Sequence, residues 1–227
     1  MAQQPPPSYN PTQSRGLRVD LRRAIIPTSL AALAILRFAF GAPLIVLIPL
    51  ALIVPLGYLF ATLYVRKHWQ PFEQHFNRLL MVGDVDALWE HYDSARLLRT
   101  IAPPYAVMLR RGLLFSLRGE HRLANASLDE AWELSPPRER AALLGPMTRA
   151  KYETGDIDGV RVLAEQWRQR AVFPGPPSVY LAAACLADPR EDAGRVDELL
   201  SEAMPHLGGA DLVLAESIQA RAASRNA

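Results

Sequence analysis

The sequence predicts an all-α protein in which antiparallel helix pairs repeat behind an apolar N-terminal region. Three glycines that precede helix-forming sequence recur at a spacing of 36 residues: Gly83, Gly119 and Gly155. A fixed period of this length is typical of stacked supersecondary units, each too small to bury its own apolar face. No segment alternates apolar and polar residues as a half-buried strand does, and β-hairpin turn signals are missing. These observations predict an α-solenoid.

Residues 1–23 are predicted to be a tail outside this fold. Residues 1–14 contain four prolines, no charge and almost no apolar residue, which is the composition of a disordered segment. Residues 15–23 contain four arginines and one aspartate. No small-residue cleavage site precedes the next hydrophobic block, so the tail does not have the pattern of a secretory signal.

Residues 24–65 are predicted to be a membrane region. Two apolar blocks, 24–40 and 44–65, flank a Gly-Ala-Pro sequence, and Arg37 is the only charged residue between the ends. A membrane-spanning helix needs about 17–25 apolar residues. The second block, with 22 residues, meets this length, whereas the first, with 17, lies at its lower limit.

Two membrane topologies fit this region. In a hairpin, both blocks cross the bilayer and both flanks lie in the cytoplasm; in a single span, only 44–65 crosses and the following domain faces outward. Arg22 and Arg23 precede the region and Arg66 and Lys67 follow it, which favours the hairpin because positive residues resist translocation. We therefore expect a bacterial-type inner membrane location with a cytoplasmic helical domain. A pair of soluble, buried helices is the third interpretation.

Residues 70–227 are predicted to form the helical repeat domain. Pro104 suits the first turn of a helix, and Asp84 and Asp156 stand where N-caps or first-turn acids belong. Cys185 and the tryptophans at 89, 132 and 167 are expected in the core. Helices are predicted near 70–82, 84–99, 104–118, 120–135, 138–153, 156–170, 177–187, 191–204 and 210–223.

The second helix of each repeat carries the same apolar stripe. Its positions follow the spacing i, i+3, i+7 and i+10, which places them on one face of an α-helix. They are Val85, Leu88, Tyr92 and Ala95, then His121, Ala124, Leu128 and Ala131, then Ile157, Val160, Ala164 and Trp167. Each second helix is therefore expected to pack this face against its neighbours.

At these residues the chain resembles the tetratricopeptide repeat (TPR) family. The family pattern combines W-x2-L-G-x2-Y with A-x3-F and a closing proline. The resemblance covers about residues 70–172, and the central unit matches the family pattern best. Arg111 and the 36-residue spacing depart from that pattern. A generic α-solenoid is the alternative. The residues at the corresponding positions are Met108, Arg111, Gly112, Phe115, Ala124, Leu128 and Pro136.

The resemblance implies a superhelix whose first helices line a concave groove that binds a peptide or another protein. Arg149 and Tyr152, at i and i+3, form the best pair for gripping an acidic or backbone group. The groove candidates implied by the repeat phase are Glu73, Asn77, Leu80, Leu109, Leu113, Ser116, Arg149 and Tyr152.

No sequence pattern points to catalysis, a metal or a cofactor. The five histidines have no metal-ligand spacing, and P-loop, nucleophile-elbow and dinucleotide motifs are missing. The acidic pairs Asp84/Asp86 and Asp156/Asp158 recur at the repeat period. This favours a role as N-caps or first-turn acids of helices over metal binding.

Charge distribution argues against nucleic acid as a partner. Residues 71–227 contain 18 basic and 22 acidic residues, whereas a nucleic-acid-binding domain should be basic. We therefore expect a membrane-anchored, non-catalytic scaffold or adaptor that binds another protein. The alternative is an obligate structural subunit of a membrane complex. An enzyme of unrecognised chemistry is a third class.

Overall fold

The computed structural model describes residues 43–188 and 193–225, together with positions 31, 33–35, 37, 38 and 41. These residues form α-helices joined by turns, with one short 3-10 helix, and none of them lies in a strand. The all-α prediction is confirmed for this part of the chain. The predicted tail, 1–23, and part of the block 24–40 lie outside the described residues.

The chain divides into two compact units, one ending at Pro104 and one beginning at Tyr105. The first unit contains α1 (Leu44–Val82), α2 (Val85–Ser94) and α3 (Arg96–Ile101). Helix α1 contacts both shorter helices. The buried residues that join them are Phe72, Phe76, Leu88, Tyr92 and Leu98.

Helix α1 differs from the sequence prediction, which ended the apolar helix at 65 and began a new one at 70. The structure has one continuous helix through Pro71. A proline inside a helix leaves the carbonyl four residues earlier without its usual N–H donor. Here that carbonyl belongs to Lys67, and both Lys67 and Pro71 are exposed, so water can hydrate the carbonyl.

The prediction of a single helix over 84–99 is also wrong in one respect, because the structure has two helices here, separated at Ala95. This residue leaves the helical region with φ −84° and ψ 36°. Just before it, the Ser94 hydroxyl donates a hydrogen bond to the His91 carbonyl at 2.8 Å. Such local bonds compete with the helical ladder. On the α3 side, Arg99 pairs with Asp93 at 3.3 Å and its guanidinium lies 4.4 Å from the Tyr92 ring centre.

The second unit contains the remaining helices. Neighbours in sequence pack together from α5 to α10, and α6 with α8 and α8 with α10 also make contact. The helices are α4 (Pro104–Leu117), α5 (His121–Leu134), α6 (Ala141–Glu153), α7 (Ile157–Arg168), α8 (Gly175–Ala187), α9 (Ala193–Ala203), the 3-10 helix (Met204–His206) and α10 (Gly209–Arg225). Helix α8 is central, since most of its residues are buried, including Cys185 as predicted.

The three glycines spaced by 36 residues and the aspartates Asp84 and Asp156 have the local roles that the sequence predicts. Gly83, Gly119 and Gly155 have φ values of 77°, 74° and 76°, a left-handed conformation that ends each preceding helix and favours glycine. Asp84 caps α2 by accepting from the N–H of Ala87 at 3.0 Å. Asp156 caps α7 by accepting from Gly159 at the same distance.

The predicted apolar stripe faces inward, but the tryptophans do not lie fully in the core. In each second helix the middle stripe positions are buried, among them Leu88, Ala124 and Val160. The tryptophans at 89, 132 and 167 are only half-buried. A large ring at the edge of a core keeps part of its face available to solvent or to a cation. Arg140, for example, lies 5.1 Å from the Trp132 ring centre.

Candidate functional site

A pocket of about 400 Å³ lies beside α6, α8 and α10 in the second unit. We call it the three-helix pocket. Its residues come from the ends of these helices and from the first residue of α7. They are Tyr152, Ile157, Ala183, Leu186, Ala187, Arg221 and Arg225. The pocket therefore depends on helices that are far apart in sequence.

The three-helix pocket combines an apolar lining with two cationic side chains. Arg221 and Arg225 are one turn apart on α10, so their side chains lie on one side of the helix. Arg225 donates from Nη1 to the Leu186 carbonyl at 3.1 Å, which satisfies one of the final carbonyls of α8. Within the described residues, Arg221 has no ion-pair partner, and no acidic side chain lines the pocket.

Tyr152 is held in the pocket by an aromatic contact. Its ring meets the ring of Tyr180 edge to face, with centres 5.7 Å apart. The Tyr180 hydroxyl donates to Asp211 Oδ1 at 3.4 Å. Burial raises the pKa of Tyr180 well above its ordinary value, and Asp211 acts in the same direction. Tyr180 therefore stays protonated and serves as a fixed support for Tyr152.

The predicted groove residues of the second unit lie on two helices, α4 and α6. Arg149 and Tyr152 share one face of α6, with Arg149 exposed and Tyr152 lining the three-helix pocket. The predicted α4 positions Leu109, Leu113 and Ser116 are all half-buried on one face of that helix.

The remaining groove candidates belong to the first unit. Asn77 is exposed on α1, where Glu73 and Leu80 are half-buried. Sequence reasoning missed Arg221 and Arg225, because they lie beyond residues 70–172, over which the repeats are predicted. The available signal was two arginines at i and i+4 on the final helix.

A second surface is the exposed apolar side of α1. Seven large apolar side chains on it are each more than half exposed: Ile45, Leu52, Ile53, Leu56, Leu59, Phe60 and Leu63. At about 100° per residue they fall within roughly one third of the helix circumference. We call them the α1 apolar face. Considering only the residues that the structure describes, no helix is both long and apolar enough to cross a membrane.

The α1 apolar face ends abruptly at Arg66 and Lys67, both of which are exposed. Farther along the same side of the helix lie exposed polar residues, such as Gln74 and Arg78. The opposite side there carries Phe72 and Phe76, which are buried in the first unit. One helix therefore changes from an apolar surface to an ordinary amphipathic pattern within about one turn.

A third surface surrounds the turn between α7 and α8. Val172 is 87% exposed and Phe173 is 63% exposed. They border a pocket of about 470 Å³ that is also lined by Trp167, Pro176 and His206. The Phe173 and His206 rings have centres 5.7 Å apart. This is an apolar, aromatic surface without a charged acid or amine among its lining residues.

The described residues show a histidine pair but no arrangement suited to metal binding. The rings of His75 and His91 have centres 4.5 Å apart, and Nε2–H of His91 donates to the Phe72 carbonyl at 3.2 Å. Burial lowers the pKa of His91, and the charge of His75 acts in the same direction. In this part of the chain no group of three or more His, Cys, Asp or Glu residues could hold a metal ion.

Comparisons with protein-family models, with curated proteins and with solved structures found no match to this chain. Three surfaces of the described residues could contact a partner: the three-helix pocket, the α1 apolar face and the aromatic surface at Val172 and Phe173.

Proposed function

We propose that this chain is a membrane-attached scaffold whose TPR-like helix pairs bind another protein and that it catalyses no reaction. The observation that carries the proposal is the character of α1, which presents an apolar face and then, without a break, enters the core of a folded unit. A bilayer covers such a face, and the continuous helix links it to the folded helices.

The size of the α1 apolar face supports attachment to a membrane. Each large apolar side chain contributes roughly 1.5–3 kcal/mol when it leaves water. Covering seven of them is therefore comparable with the whole stability of a domain, about 5–15 kcal/mol. Lipid fits better than a soluble partner, because Arg66 and Lys67 border the face and Tyr58 and Tyr64 lie near that end. Basic and aromatic residues are typical of a membrane–water interface.

Membrane attachment is tested by alkaline extraction of cell membranes that contain the full chain. We expect the wild-type chain to stay with the membrane pellet, because apolar burial is insensitive to salt and pH. Leu56→Glu combined with Leu59→Glu should move the chain to the supernatant, whereas Gln219→Glu, an exposed position on α10, should leave it in the pellet. Wild-type chain recovered in the supernatant would contradict the proposal.

Protein binding is supported by the three-helix pocket and by Arg149, which is exposed about one turn before Tyr152 on α6. The test is photocrosslinking in intact membranes, with a photoreactive residue placed at Tyr152 in the full chain. We expect a discrete adduct with another protein from Tyr152. Ser201, exposed on α9, is the control position and should give none. Equal adducts from both positions, or none from Tyr152, would count against a binding groove there.

The aromatic surface favours a second candidate function, an obligate structural subunit of a membrane complex. Val172 and Phe173 are large apolar residues left in solvent, and such residues commonly mark a permanent interface when they are clustered. This alternative predicts that the full chain, purified in detergent without partners, self-associates. Phe173→Ser should then restore a monodisperse species, and Val213→Ser, an exposed control on α10, should not. Monodisperse wild-type protein would argue against the alternative.

A further inference from the structure

We propose that the three-helix pocket binds an acidic peptide segment, with an apolar side chain in the pocket and a neighbouring carboxylate on Arg221. The inference rests on the proposed function, because it assumes that the chain binds a protein, and it adds the chemistry of the bound segment. Three observations carry it: the apolar lining, the lack of an ion-pair partner for Arg221 among the described residues, and the arrangement of the two arginines.

The lining of the pocket selects an apolar side chain of moderate size. Ile157, Leu186 and the small side chain of Ala183 provide an apolar wall. A volume of about 400 Å³ lies near the lower end of the range for ligand pockets, roughly 300–1,000 Å³. It accommodates one or two side chains and a short stretch of backbone. Tyr152 adds a hydroxyl that can donate to a backbone carbonyl of an extended segment.

The charge of the pocket selects an anion beside that apolar group. Like charges at i and i+4 on a helix repel each other, so Arg221 and Arg225 on α10 favour an anion placed near both. The nearest acid in sequence to the lining residues of α8 is Asp188, and its carboxylate already binds Arg161 at 3.2 Å. Arg225 is partly engaged by the Leu186 carbonyl. Arg221 is therefore the principal group for a carboxylate, which a guanidinium can bind through two parallel hydrogen bonds.

Selection from a random-peptide display library against the full chain in detergent tests the inference. We expect the enriched peptides to combine an acidic residue with an adjacent large apolar residue. A synthetic, fluorescently labelled copy of an enriched peptide should bind about tenfold more weakly to Arg221→Gln, as expected for the loss of one charge-assisted contact. Arg138→Gln is the charge-matched control, because Arg138 is exposed in the turn before α6 and outside the pocket. It should bind as the wild type does.

The outcomes separate this inference from the proposed function. Enriched peptides without acidic residues, or equal binding to wild type and Arg221→Gln, overturn the inference but leave protein binding standing. Failure to enrich any peptide overturns the inference as well. The proposed function is then judged by the crosslink from Tyr152, which does not depend on the chemistry of the partner. Replacing glutamate by glutamine in the labelled peptide should weaken binding to the wild type and have little effect on Arg221→Gln.

Discussion

Gly112 and Ala124 mark the close approach of α4 and α5. A Cβ atom added to Gly112 would lie 2.7 Å from Leu128 Cγ and 3.4 Å from the Ala124 carbonyl oxygen. Ala124 itself is fully buried. Small residues at such a crossing let two backbones approach, and the surrounding packing leaves no room for a larger side chain.

Ala124→Trp should therefore be strongly destabilising. Overpacking a close crossing costs about 1–3 kcal/mol or more, because neighbouring side chains leave their preferred rotamers or the helices move apart. The midpoint of thermal unfolding of the full chain in detergent measures the effect. Arg122→Trp, at an exposed position on the same helix, is the control and should change the midpoint little. An unchanged midpoint for Ala124→Trp would contradict the packing described here.

The surroundings of His91 predict that the stability of the first unit depends on pH. Its ring stacks on Phe72 and meets His75, and burial lowers its pKa from the ordinary 6.5. A histidine whose pKa is lower in the folded chain than in the unfolded chain binds a proton more readily when the chain is unfolded. The stability that it contributes is complete above pH 6.5 and is lost as the pH falls through that value toward the folded pKa.

The temperature at the midpoint of unfolding of the wild-type chain should consequently decrease when the pH is lowered from neutral to mildly acidic values. His91→Gln should reduce this fall, because glutamine does not titrate. His206→Gln serves as the comparison, since His206 is exposed on the 3-10 helix and should retain the wild-type dependence. The same pH dependence in His91→Gln and wild type would rule out His91 as its source.

At the scale of elements, the two ends of α1 have different roles in one helix. The 39-residue helix runs from the α1 apolar face into the core of the first unit, where Phe76 is fully buried. At about 1.5 Å per residue it is close to 60 Å long. The exposed residues on one side of α1 are thus apolar before Arg66 and Lys67 and include polar ones, such as Gln74, after them.

Truncating the two ends of α1 should have unequal effects on stability. Phe76→Ala removes a fully buried ring and should lower the free energy of unfolding by about 3–5 kcal/mol. Leu63→Ala changes a side chain that is more than half exposed and should have little effect in detergent. Denaturant unfolding of both variants, followed by circular dichroism, makes the comparison. Equal losses would mean that the exposed end of α1 is packed against protein.

At the scale of the whole molecule, the proposed membrane attachment and the flanking charges together predict on which side of the membrane the helical domain lies. Arg22 and Arg23 on one side and Arg66 and Lys67 on the other favour a hairpin with both flanks in the cytoplasm. A fluorescent protein that matures only in the cytoplasm should therefore be bright when fused after Ala227. Alkaline phosphatase, which is active only outside, should be inactive at the same position. The opposite result would establish the single span and place the helical domain outside.

The sequence by itself determined the features that depend on nearest neighbours along the chain. These include the helical class of the described residues, the left-handed glycines at 83, 119 and 155 and the caps at Asp84 and Asp156. Each follows from constraints within a few residues: the side-chain period of a helix, the freedom of glycine and the free N–H groups at a helix start. The same reasoning placed Tyr152 and Arg149 on one face of α6.

Only the tertiary structure decided which distant residues meet. It joined the apolar block to the following helix through an exposed Pro71, broke the second helix at Ala95, and left the tryptophans half-buried. It also placed Arg221 and Arg225 beside Tyr152, although some 70 residues separate them along the chain. The physical reason is that local propensity sets the helices, whereas burial of their apolar faces against one another selects their neighbours. The three-helix pocket belongs to that second level, since helices α6, α8 and α10 must pack before it exists.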